Sequence, residues 1–152
     1  MPKFVVIDEA VIDSPPMVVY KAILDEIAGV TNWWMPYLEF KLRGDKPIVY
    51  EGAIFDLTIY PTSRITSFKV SAKVTKIVEA KSIELEMTGA LVGTEYYTFE
   101  PTDGKTNLQI RLNARTNRLF FSLVSPFVNI GKKHSDNMQK GFKALNSYLS
   151  KK

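Results

Sequence analysis

The chain has 152 residues and a net charge of +4, with no cysteine and a single histidine, His134. Disulfides, thiolate metal sites and every motif that needs two histidines are therefore excluded. The length fits one domain over 1–152, and folding would bury roughly 68–70% of the unfolded surface, enough for a core without staples.

The opening "MPKFVVIDEAVID" is rich in Val and Ile but alternates poorly. Its internal acids and the lack of a small-residue cleavage site make it a strand rather than a signal peptide. "DSPP" stops it. Ser14 suits an N-cap and Pro15 the first helical turn, where a missing N–H costs nothing. Val19, Ile23 and Ile27 then recur at four-residue spacing, which predicts an amphipathic helix over 15–27, ended by Gly29. Residues 30–36 form a short second helix or a turn. They carry both tryptophans of the chain, Trp33 and Trp34, and close at Pro36.

From Tyr37 the period becomes two, predicting strands over 37–43, 52–60, 66–79, 82–88, 92–100 and 105–117. "RGDKP" and "YPTSR" are breaks, and Asp103-Gly104 is a hairpin signal. Ala53, Phe55, Leu57 and Ile59 share a face, as do Phe68, Val70, Ala72 and Val74, then Ile83, Leu85 and Met87, then Leu108, Ile110, Leu112 and Ala114. This is an antiparallel sheet with one covered and one wet face. The cover is the end of the chain. Phe127, Ile130, His134, Met138, Phe142, Leu145 and Leu149 make the stripe of one long helix. Either Ser125 caps it and Pro126 opens it, or an earlier helix from Arg118 kinks there. No apolar run reaches the ~18 residues of a membrane span, so a cytoplasmic protein is expected.

The order β-α-α-β6-α, an α+β fold of about seven strands curved around a C-terminal helix, resembles the START-like helix-grip superfamily. That superfamily includes the polyketide cyclase/dehydrase and birch-pollen-allergen families. The resemblance rests on "VIDSPPMVVYKAILD" (11–25), "EGAIFDL" (51–57), "FKVSAKVTKIVEAKSIELEM" (68–87), "TEYYTFEPTDGKTNLQI" (94–110) and "HSDNMQKGFKALNSYLSK" (134–151). None is a catalytic signature. The resemblance implies an apolar cavity between sheet and last helix that takes a lipid, polyketide or isoprenoid-like molecule.

Several residues are candidates for lining it. Trp33 and Trp34 either plug the end of the core or frame the mouth of a cavity, since Trp couples large apolar area to a polar tip. If Phe99 faces the core, as the resemblance implies, Glu95 and Tyr97 face it too. A carboxylate there is costly unless hydrogen-bonded, which marks a functional candidate. A bulge would slip the parity and turn Thr94, Tyr96 and Thr98 inward. His134 replaces an apolar residue on the inward stripe, as a ligand contact, a general base or a core histidine bonded to a strand. Phe55, Phe68, Phe121, Phe127 and Met138 complete the expected lining, Phe121 from an apolar segment (Phe120, Phe121, Leu123, Val124) that suits a lid or wall.

Charge is uneven along the chain: residues 105–152 hold ten Lys/Arg against one acid, residues 1–104 ten against fifteen. The basic part is a solvated face or a transient contact with an anionic membrane surface. No groove-reading or aromatic nucleic-acid module is present, so nucleic acid is not an expected partner. No metal-ligand spacing, phosphate-cradling loop or Ser/Cys nucleophile motif is visible, and no cofactor is expected. The leading expectation is binding of a small hydrophobic molecule. The alternatives are a cyclase or dehydratase-type enzyme using Glu95 or His134 as acid/base, which requires both groups to converge, and an interaction module built on Lys132, Lys133, Lys140 and Lys143.

Overall fold

The structure, a computed structural model, describes residues 3–60, 67–116 and 130–151, without the side chains of Phe4 and residues 130–133. Among these, seven strands form one antiparallel sheet: β1 (Lys3–Ile12), β2 (Leu38–Leu42), β3 (Ile54–Ile59), β4 (Phe68–Val78), β5 (Ser82–Gly89), β6 (Leu91–Thr102) and β7 (Lys105–Thr116). The spatial order β1-β7-β6-β5-β4-β3-β2 makes β2 to β7 a continuous meander, with β1 added at its far edge. Two helices are described with them, α1 (Pro16–Ile27) and α2 (Ile130–Ser150).

The period-two pattern places the sheet's apolar face as expected. Phe55 and Leu57 on β3, Val70, Ala72 and Val74 on β4, Ile83, Leu85 and Met87 on β5 and Leu108 to Ala114 at alternate positions of β7 are all buried. The stripe of α2 meets them, with Met138, Phe142 and Leu145 at 3%, 2% and 0% exposure. The result is an α+β helix-grip fold, a curled sheet closed by the C-terminal helix. β4 carries a register shift between Val74 and Lys76. β6 carries none against either neighbour, and that fixes which of its side chains point inward.

Hydrogen bonds seat α2 beside β1. Asn146 donates from Nδ2 to the Val11 carbonyl at 3.2 Å and accepts from the Asp13 N–H at 2.8 Å. The two bonds tie the helix to the C-terminal end of β1 and the residue that follows it.

Local details differ from expectation at two places. Ser14 does not cap α1: Pro15 is the N-cap residue, Pro16 occupies the first turn, and no side chain caps the helix. The Ser14 carbonyl instead accepts from Thr106 Oγ1 at 2.7 Å, which draws the β1–α1 loop onto β7. Of the helix and the turn open to residues 30–36, the chain takes the turn. Proline disfavours the helical region for the residue before it, here Met35. The Trp33 and Trp34 N–H groups also bond to a side chain instead of an upstream carbonyl. Gly29 leaves α1 with φ +76°, a conformation that glycine adopts without a Cβ penalty. "YPTSR" beyond Tyr60 and the segment from Arg118 through Ser125 and Pro126 to Phe127, including Phe120, Phe121, Leu123 and Val124, lie outside the described residues.

Candidate functional site

Strand parity builds the site. With β6 unbulged, Glu95, Tyr97 and Phe99 all face the interior, at 5%, 2% and 3% exposure, and Tyr96 on the other face is 39% exposed. Asp8 on β1 shares parity with Ile12, whose side chain is fully buried, and is itself 6% exposed. On α2, His134 lies one turn before Met138, on the stripe that meets the sheet. Three elements thus bring four polar side chains together in a mainly apolar interior.

Their geometry is a chain. Tyr97 donates its hydroxyl to Glu95 Oε1 at 2.8 Å. The other oxygen, Oε2, stands 3.3 Å from His134 Nε2. On the opposite flank of the ring, Nδ1 stands 3.4 Å from Asp8 Oδ2. This last contact is an ion pair without hydrogen-bond alignment, and both atoms are buried with no aligned partner among the described residues. Glu95 and His134, expected to converge if the site does acid/base chemistry, are in direct contact.

The electrostatics follow from the arrangement. Burial pulls the His134 imidazolium toward deprotonation, but the flanking Asp8 and Glu95 carboxylates more than offset it and hold the pKa at about 9. At neutral pH His134 is therefore a cation and a proton donor; of the roles left open by the sequence, this favours donation to a ligand or a strand over the general base. Burial first, and the Glu95 charge second, push the Tyr97 phenol well above its ordinary value, so it remains a neutral donor. Asp8 and Glu95 address opposite nitrogens of one ring, so they do not converge on one metal ion. Among the described residues no group of three His, Cys, Asp or Glu could hold one.

The tryptophans belong to a second, aromatic part of the interior, organised by Glu26. This carboxylate, 2% exposed on α1, accepts from Thr31 Oγ1 at 2.7 Å, the Trp33 N–H at 3.1 Å and the Trp34 N–H at 2.8 Å. It fixes the turn so that both rings stack, 5.0 Å apart and 17° from parallel. Trp34 is buried and donates Nε1 to the Asn137 carbonyl of α2 at 3.4 Å. A Cβ on Gly141 would overlap its indole, so that glycine makes room for the ring. Trp33 is half-buried between Trp34 and Tyr148, and its Nε1 is buried without a partner among the described residues. Rings continue from Trp34 to Phe40 at 5.9 Å and on to Phe55 at 5.8 Å. Phe68 is half-buried at the start of β4, opposite Ile59.

Sequence reasoning turned Glu95, Tyr97 and His134 toward one interior, placed Trp33 and Trp34 at one end of the core, and expected Phe55, which is buried on β3, as part of the lining. Phe121 and Phe127 lie outside the described residues. It missed Asp8, Glu26 and Asn137, all buried. On the outer surface, the Lys140 ammonium sits 4.9 Å from the centre of the Tyr37 ring.

No family model matches the chain, and no curated protein matches its sequence. Solved structures do match its shape. Ara h 8.0201 superposes with a TM-score of 0.70 at 16% identity, covering 99% of this chain and 100% of that one. The major latex-like protein 151 of Panax ginseng gives 0.71 at 8% identity, over 96% and 97%. TTHA0849 from Thermus thermophilus gives 0.68 at 14% identity, over 96% and 95%. At these identities the likeness is one of fold, and that fold is the START-like helix-grip architecture.

Proposed function

We infer that the protein binds a small, mainly apolar molecule, of lipid, polyketide or isoprenoid type, between the concave sheet and α2, as a cytoplasmic carrier or receptor. The observation that carries this is the buried Asp8–His134–Glu95–Tyr97 chain. It sets polar groups inside a mainly apolar half-barrel, one carboxylate oxygen and one ring nitrogen among them without an aligned partner among the described residues. A ligand site of this kind combines apolar walls with a few placed polar groups. Affinity would come mainly from burial, at roughly 25 cal/mol per Å² of apolar area. Native mass spectrometry of protein purified from its own host tests it. A retained molecule of a few hundred daltons is expected. A bare chain that also takes up no added apolar compound would refute the reading.

A second reading, an acid/base enzyme of cyclase or dehydratase type, is favoured by the contact between His134 and Glu95. The protonated imidazole would give its proton to a carbonyl or departing hydroxyl oxygen, and a carboxylate would take one from carbon. His134→Gln that retains ligand but loses turnover would separate the two readings.

A further inference from the structure

Among the described residues the polar chain does not balance in charge. It holds two carboxylates and one imidazolium, and Asp8 and Glu95 are only 6% and 5% exposed. Among the described residues no Lys or Arg pairs with either of them. A buried charge without a counter-charge is costly, and the cost falls when a partner arrives. The imbalance can also be placed. Glu95 is served on both oxygens, by the Tyr97 hydroxyl and by His134 Nε2. Asp8 is served less well: its buried Oδ2 faces Nδ1 at 3.4 Å, close enough to attract the ring's charge but off the axis of an aligned hydrogen bond, and among the described residues it has no other donor. The open acceptor is thus on the β1 flank of the ring, away from Glu95.

We propose that the molecule bound in the interior carries a protonated amine, or an equivalent cationic N–H group, that seats against Asp8 Oδ2 while its apolar body lies along the concave sheet. This rests on the interior-binding reading above and adds the chemical class of the polar end. An ammonium supplies the missing charge and a donor to the open oxygen together. A hydroxyl supplies only the donor. A carboxylate adds a third anion beside Asp8 and Glu95 and is disfavoured. The expected order for equal apolar tails is amine, then alcohol, then carboxylate.

The test uses the full chain at pH 7.5, loaded with the neutral hydrocarbon probe diphenylhexatriene and titrated with decylamine, decanol or decanoate. Decylamine is expected to displace the probe at about tenfold lower concentration than decanol, the range of a charge-assisted hydrogen bond, with decanoate weaker still. In Asp8→Asn the amine-to-alcohol ratio should fall to near one. Equal displacement by amine and alcohol, or a ratio unchanged in Asp8→Asn, overturns the proposal while leaving interior binding intact. Failure of the probe and of all three chains to bind overturns interior binding itself, and the proposal with it. The wild-type ranking decides even where Asp8→Asn does not fold.

Discussion

His134 is the residue on which most of the chemistry turns. Its folded pKa of about 9 stands above the ordinary value of 6.5, because Asp8 and Glu95 outweigh burial. A raised folded pKa stabilises in full below the unfolded value and loses that contribution as pH rises through the folded one. The stability difference between the wild type and His134→Gln should therefore be constant below about pH 6 and shrink between about pH 6.5 and 9. Urea midpoints at pH 6 and 10 check the sign, and a difference that grows with pH would contradict it. Since the chain has one histidine, its imidazole resonances are unambiguous. They should titrate near the folded value of about 9, and at lower pH in Asp8→Asn. Glu26 is the other buried carboxylate with a defined task. Glu26→Ala strands the Trp33 and Trp34 N–H groups and should cost about 2–4 kcal/mol, read by denaturant unfolding. Parity along β6, anchored on the inward Phe99 that the resemblance implied, made Glu95 and Tyr97 legible, and the unbulged strand removes the alternative of Thr94, Tyr96 and Thr98. Asp8 was not, because Val5, Ile7 and Val11 on the outer side of β1 are as apolar as the inner set and yet 53% exposed. A strand apolar on both sides gives no facing.

At the scale of elements, β1, β6 and α2 position the site, and their seating depends on short-range fits. Gly141 lets α2 pass over Trp34. Gly141→Ala adds helix propensity of about 1 kcal/mol, but the methyl meets a buried indole. A net loss of about 1–3 kcal/mol is expected in thermal unfolding, with altered Trp fluorescence. Stabilisation would show that the ring is free to move. Asn146→Ala removes both hydrogen bonds to the C-terminal end of β1 and the residue that follows it. It should cost about 1–2 kcal/mol and speed hydrogen exchange at the Asp13 amide. The sheet and α2 were readable because periods of two and near four are strong over long segments. The turn at 33–37 was less so, because its conformation depends on a carboxylate seven and eight residues upstream, a tertiary contact that local propensity does not carry.

At the scale of the molecule, the curled sheet and α2 enclose a mainly apolar interior that carries the Asp8–His134–Glu95–Tyr97 chain and, apart from it, an aromatic row anchored by Glu26. A START-like fold alone leaves activity open, since function resides in sites and not in folds. The Trp pair fits this division. Trp34 is buried against α2, while half-buried Trp33 has an Nε1 without a partner among the described residues. The central claim is that ligand enters between the sheet and α2. Its most direct test is methyl-resolved NMR of the full chain during titration with the neutral probe diphenylhexatriene. The account predicts shifts at inward methyls such as Leu85, Ile110, Leu112 and Met138, and none at outward Val5, Ile7 and Val11. Shifts confined to the outward set, or none at all at saturating probe, would contradict it.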